Sequence, residues 1–149
     1  MELLLAIDLG VKTGFAMYGS DGKLLWYRSQ NFGNAARLRK AVPKILSEDE
    51  ELRYIVIEGG GPLLKIWAQA AERKNIEVIK TMADEWRQDI LLAREQRKGT
   101  DAKHNALIYA RQVIEKLAPH RATSLNDDAA EAILVGLWGM LKVGWIRNT

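Results

Sequence analysis

Hydrophobic and polar positions along this chain change period several times, and each change marks an element. Leu3–Leu9 is an almost unbroken apolar run, Leu-Leu-Leu-Ala-Ile-Asp-Leu, followed at once by Gly10 and then Gly14. A run this dense, bounded by glycine, predicts a strand covered on both faces. Gly14–Tyr18 predicts a second strand and Lys23–Ser29 a third, with the strong turn sequence Gly19-Ser20-Asp21-Gly22 between them. Three consecutive strands on short turns predict an antiparallel meander. The period then lengthens. Leu38, Val42, Ile45 and Leu46 recur at i, i+4, i+7 and i+8 with Arg and Lys between them, which predicts a helix with a polar exit over Ser47–Glu51.

Tyr54–Glu58 predicts a fourth strand, ended by Gly59-Gly60-Gly61-Pro62. Leu63–Lys74 predicts a helix with Ile66, Trp67, Ala70 and Ala71 on its apolar side, and Glu77–Lys80 a short fifth strand. Strand–helix–strand implies a right-handed crossover and parallel pairing. Asp84–Arg94 reads as a short helix and Arg94–Thr100 as a charged loop, with Thr100 as the N-cap of a helix over Asp101–Leu117. Its apolar face carries Ala106, Ala110, Val113 and Leu117. The last helix runs from Asn126 to Lys142, with Ile133, Leu134, Leu137, Trp138 and Leu141 facing the core. The expected fold is α/β: one domain, residues 1–149, with a five-stranded mixed sheet flanked by helices on both sides.

Composition narrows the class. The chain has 149 residues, 48% hydrophobic and 28% charged, which suits one globular domain and excludes a disordered polymer. It contains no cysteine, so disulfides and thiolate metal sites are excluded. No basic segment precedes the first apolar run, and Ala132–Leu141 is too short to span a bilayer. The expectation is a cytoplasmic protein, or an organellar or phage-encoded one, without a membrane partner. Net charge is +3 with 22 Lys and Arg, and the distribution matters more than the total. Arg94, Arg97, Lys98, Lys103 and His104 form one group; Arg37, Arg39, Lys40 and Lys44 form another. Such a run is often only a solvated face, but basic clusters also neutralise phosphates. Lys12, Arg94, Arg97, Lys98 and Lys103 are the candidate nucleic-acid contacts, with Arg87 the weaker one.

The informative residues are acids in apolar settings. A carboxylate in a buried strand loses hydration, so Asp8 needs compensation. It either accepts amide hydrogen bonds from the glycine-rich turn or joins other carboxylates around a divalent metal. Glu58 ends the fourth strand in a similar setting. In a mixed sheet with strand four beside strand one, the two carboxylates end near each other. The last helix opens Asn126-Asp127-Asp128-Ala129-Ala130-Glu131, where Asp128 and Glu131 (i, i+3) or Asp127 and Glu131 (i, i+4) share a face. First-turn acids complement the helix dipole, which accounts for Asp127 and Asp128. It does not account for Glu131, set among Ala129, Ala130, Ala132 and Ile133. Four clustered carboxylates repel one another, and divalent cations remove the repulsion. An oxygen-only site suits Mg²⁺ or Mn²⁺. Two such ions about 3.5–4 Å apart activate a water and stabilise a leaving oxygen in phosphodiester cleavage.

At these residues the chain resembles a known family. Ala6-Ile7-Asp8-Leu9-Gly10 with Thr13-Gly14-Phe15-Ala16, then Tyr54-Ile55-Val56-Ile57-Glu58, then Asp128-Ala129-Ala130-Glu131-Ala132 look like the acidic motifs of RuvC-like Holliday junction resolvases, members of the ribonuclease H-like superfamily. The resemblance runs in order from residue 3 to about residue 140. It implies a homodimeric, Mg²⁺-dependent endonuclease that nicks two strands of a four-way DNA junction, with two metal ions per active site. Asp8 would bridge the ions, Glu58, Asp128 and Glu131 would complete the set, and Asp127 is the reserve for Asp128. Gly99-Thr100-Asp101-Ala102-Lys103 resembles the family's basic segment, with Lys103 where a catalytic lysine would sit. The helix after Glu58 would form the dimer surface. There are departures. Bacterial members carry an aromatic wedge just after the strand-four glutamate, where this chain has Gly59-Gly60-Gly61, and the fourth acid here is Glu131 rather than aspartate.

Three other readings stay open at this level: a ribonuclease H-like nuclease acting on RNA or an RNA–DNA hybrid, a non-catalytic nucleic-acid-binding protein on the same scaffold, and a phosphate-binding module of the actin-like ATPase type. The last needs two such domains, and Gly10–Gly14 lacks the lengths and order of a P-loop. His104 and His120 read as surface residues, Trp67 and Trp138 as core. Trp86 has no clear assignment, and Trp145 is a candidate dimer contact.

Overall fold

The computed structural model describes residues 1–90, 99–118 and 125–147; side chains 99–104 lie outside the described set. The elements are β1 (Leu3–Asp8), β2 (Lys12–Gly19), β3 (Leu24–Asn31), α1 (Ala35–Ser47), β4 (Leu52–Glu58), α2 (Pro62–Arg73), β5 (Glu77–Thr81), α3 (Ala83–Ile90), α4 (Gly99–Leu117) and α5 (Asp127–Val143). The sheet has five strands in the order β3-β2-β1-β4-β5. β1, β2 and β3 pair antiparallel as the expected meander, and β4 and β5 join β1 in parallel. Among the described residues, no helix is long and apolar enough to cross a membrane.

Side-chain alternation sorts the core into two layers. Along β1, Leu3, Leu5 and Ile7 face one cluster, shared with α1 and α2 through Leu38, Val42, Leu46, Trp67 and Ala71. Leu4 and Ala6 face the other, shared with α3, α4 and α5 through Trp86, Ala110, Ile133, Leu134 and Trp138. Helices thus cover both faces, as a strand apolar on every residue requires. Each fully buried Leu or Ile contributes about 1.5–3 kcal/mol. Residues 3–7 are all at most 7% exposed, so the central strand is anchored on both faces.

The core helix α5 is more deeply buried than its periodicity suggested. Beyond the expected face, Ala129, Ala130, Ala132, Val135, Gly136, Gly139 and Met140 are buried too, while Leu141 is only half-buried. Small residues explain this. A Cβ on Gly136 would lie 2.3 Å from Tyr18 Cε2, and one on Gly139 2.6 Å from Val56 Cγ2, so the glycines let the helix axis settle onto the sheet. The Tyr18 hydroxyl, fully buried, donates to the Ile133 carbonyl at 2.6 Å and pins helix to strand.

Boundaries differ from the sequence expectation in a few places. β2, β4 and β5 run one or two residues longer at one or both ends, β3 starts one residue later and ends two later, and β1 stops at Asp8. α4 begins at Gly99, so Thr100 is helical rather than its N-cap. First-turn amides have no intrahelical partner in any case, so a glycine there loses little. α3 is described to Ile90. The expected end of that helix at Arg94 and the charged loop as far as residue 98 lie outside the described residues.

Candidate active site

One row of residues crosses the whole sheet at the carboxyl end of β1. Strand register aligns Ser29 with Gly14, Gly14 with Asp8, Asp8 with Glu58, and Glu58 with Thr81. Cross-strand partners in register point to the same face. Parity identifies that face: Asp8 follows Leu4 and Ala6, and Glu58 follows Val56, all on the α5 side. Asp8 and Glu58 therefore stand side by side beneath α5. β-alternation alone determines this, once β4 lies next to β1.

The remaining acids come from above. α5 starts at an N-cap Asn126, whose side chain accepts from the Ala129 amide at 2.9 Å. Its first turn sits directly on β2. A Cβ on Gly14 would lie 2.0 Å from the Asp128 carbonyl oxygen, so only glycine permits this approach. The Asp128 carboxylate accepts from Ser29 Oγ at 3.3 Å and pairs with Lys12 Nζ at 3.5 Å. Asp127 is exposed, while Asp128 and Glu131 are half-buried. Glu131 Oε1 pairs with Arg87 Nη2 of α3 at 2.7 Å, and the two side chains are only 13% and 23% exposed.

These carboxylates share one electrostatic neighbourhood. Burial first, then the charge of Glu58 and a hydrogen bond with it, then the charges of Glu131 and Asp128, push the Asp8 carboxyl up to about 9 from its ordinary 3.8. Asp127 is not among the residues that act on it. Among the described residues, no three His, Asp or Glu side chains are grouped tightly enough to hold an ion as they stand. The donor set is nonetheless all oxygen, half-buried and mutually repelling. Those are the properties that a hard divalent cation satisfies and that no other described group at the row supplies to Asp8. The residues present fit such an ion.

The other expected site residues divide by location. Lys12 is exposed at the mouth of the row. Lys103 lies on α4, with its side chain outside the described residues, as is that of His104. Arg94, Arg97, Lys98 and His120 lie outside the described residues altogether. Arg87 is turned inward, against Glu131 and over the Trp86 ring with its guanidinium carbon 5.1 Å from the ring centroid. Trp67, Trp86 and Trp138 are all core residues. Trp145 packs edge-on against Tyr54 within the same chain, centroids 5.7 Å apart. Two participants went unnoticed in the sequence, Ser29 and the Arg87–Glu131 pair. Both depend on contacts between residues far apart in sequence, 99 and 44 positions respectively, so no local pattern announces them.

The row of acids at the end of a meander-plus-crossover sheet, closed by a terminal helix, defines a ribonuclease H-like α/β architecture. Comparison with solved structures bears this out. T. thermophilus RuvC in complex with Holliday junction substrate matches with a TM-score of 0.68 over 97% of this chain and 98% of that one, at 13% sequence identity. The chain therefore has the RuvC fold. No protein-family model matches the chain, and no curated protein matches it by sequence.

Proposed function

We propose that this chain is a divalent-metal-dependent, structure-selective DNA endonuclease that resolves four-way junctions by paired phosphodiester hydrolysis, acting as a homodimer. The observation that carries this reading is the placement of Asp8 and Glu58 side by side beneath the first turn of α5, with Asp128 and Glu131 acting on Asp8 from above. The end-to-end likeness to a junction-bound RuvC supports the choice of substrate.

Asp8, Glu58 and Asp128 would hold Mg²⁺ or Mn²⁺, and Glu131 would complete the site. Bound there, the ions supply a water acidified for attack on phosphorus and counter-charge for the leaving oxygen. Asp8 suits the bridging position because its strand is central in the sheet and covered on both faces, a rigid support. Ser29 fixes one oxygen of Asp128, which orients the other. Lys12 stands at the rim, where a phosphate arriving at the row meets a cation before it meets the acids. Lys103, Arg94, Arg97 and Lys98 are the further phosphate contacts expected from the sequence, and Lys103 holds the sequence position of the family's catalytic lysine.

The test is cleavage of a synthetic four-way junction against a matched linear duplex and an RNA–DNA hybrid, with and without Mg²⁺. The junction should be cut in paired nicks only with Mg²⁺. Asp8→Asn should abolish cleavage while junction binding persists, because Asn keeps the shape of the side chain and removes only the carboxylate that would hold the metal. Wild-type turnover in Asp8→Asn would remove the nuclease reading. Cleavage of the hybrid with the junction left intact would move the substrate to RNA.

A further inference from the structure

Arg87 has no place in the reading above, yet it makes the shortest ion pair between side chains of the described residues, with Glu131. It reaches that acid from α3 at 2.7 Å, and its guanidinium lies on the face of Trp86, itself fully buried. Its Nε is buried with no hydrogen-bond partner among the described residues. A partly buried guanidinium held by an aromatic face and a carboxylate is a fixed feature, unlike an exposed lysine free to follow a phosphate. Glu131 is also one atom longer than the aspartate familiar at its position, and the extra methylene extends its reach toward α3.

We propose that Arg87 is a positioning residue, a built-in counter-ion that takes Glu131 out of the metal-ligand set, so that Asp8, Glu58 and Asp128 hold the ion and Glu131 serves the Arg87 pair. The proposal rests on the metal-dependent reading and refines its ligand assignment. It also removes Arg87 from the nucleic-acid contacts expected from sequence. The pair is close to neutral as a unit. It lets three carboxylates meet the metal without a fourth uncompensated charge, and it ties α3 to α5 whether or not metal is present.

Calorimetric titration of Mg²⁺ and of Mn²⁺ into the DNA-free protein tests this without reference to activity. The informative variant is the double replacement Arg87→Gln with Glu131→Gln, which keeps both shapes, allows an amide–amide hydrogen bond and removes both charges together. Its metal affinity should stay within about threefold of wild type, because a non-ligand pair of zero net charge has been exchanged for a neutral one. Arg87→Gln alone should bind metal about fivefold more tightly, since a competing cation is gone and Glu131 is released toward the site. Arg87→Lys keeps the charge but loses the planar guanidinium stacked on Trp86, and its metal affinity should fall between those of wild type and Arg87→Gln. Asp8→Asn and Glu58→Gln should each weaken binding at least about tenfold. A double variant that loses as much affinity as Glu58→Gln would make Glu131 a direct ligand and overturn the proposal, as would unchanged or weaker binding in Arg87→Gln. If Asp8→Asn and Glu58→Gln bind metal as wild type does, the underlying metal reading falls as well.

Discussion

At Asp8, burial and three neighbouring carboxylates act in one direction, holding its proton up to about pH 9. The sign follows from linkage. An acid whose folded-state value lies above its unfolded value favours folding while protonated. That contribution is whole below pH 4, declines as pH rises and is exhausted above about pH 9. In EDTA, the melting temperature should therefore fall between pH 6 and pH 8.5. Asp8→Asn, which cannot ionise, should melt higher than wild type at pH 8.5 and show a flatter profile. The proposed Mg²⁺ would bind the ionised form, so its stabilising effect should be larger at pH 8.5 than at pH 6. A metal-free protein whose melting temperature climbs across that interval would contradict this account of Asp8. The exposed Asp89 does not interfere. Hydrogen bonds from the Trp138 indole and Lys142 lower its value, so it has finished titrating well below this window.

Among the elements, the close seat of α5 on β2 decides where Asp128 lies. Gly14→Ala would place a Cβ 2.0 Å from the Asp128 carbonyl oxygen and 2.4 Å from its carbon, both backbone atoms that cannot rotate away. The helix start must lift, at a typical overpacking cost of about 1–3 kcal/mol. Lifting it also carries the Asp128 carboxylate away from Ser29 and Asp8, so metal affinity should drop along with stability. Gly60 is the control. A Cβ there meets nothing within 4 Å, and Gly60→Ala should change stability by no more than about 0.5 kcal/mol. Denaturant melts of the two variants, read alongside Mg²⁺ titration, check the contrast. Equal stabilities would mean that α5 can shift on the sheet freely. The loop after β4 obeys a different constraint: Gly59 and Gly61 adopt φ of 125° and 78°, conformations that side chains other than glycine's rarely take. An aromatic wedge at Gly59 would be strained and would meet Leu9, so any junction-opening group must come from elsewhere.

For the whole molecule, the proposed substrate sets the symmetry, since a four-way junction is arranged about a two-fold axis. One chain offers one row of acids, and paired nicks need two, which a C2 dimer provides. The proposed contact is α2. Trp67 is fully buried in the chain's own core, leaving Leu63, Leu64 and Ile66, all half-buried, as the apolar residues available for a partner. Sedimentation at micromolar concentration should give a dimer. Leu64→Glu should give a folded monomer that still binds metal but makes single, uncoupled nicks. A wild-type monomer with full paired cleavage would remove the dimer proposal.

The sequence by itself determined the strand and helix order and the mixed sheet, and it singled out the acids set in apolar surroundings, because these follow from periodicity and position. Leu3–Ile7 could only be a strand buried on both faces, and Glu131 among alanines needed a special environment. The choice of Asp128 over Asp127 was not legible there. Both lie in the first turn of one helix, one residue apart, and only the seat of that turn on Gly14 faces Asp128 toward Ser29 and Asp8. Nor was the direction of Arg87 legible. A basic residue on a short helix reads as solvated until α3 is placed against α5 and the guanidinium meets Glu131. The physical reason is common to both. Periodicity reports which face of an element is apolar, whereas the partner of a charged group is fixed by elements distant in sequence, and only tertiary packing brings them within hydrogen-bond range.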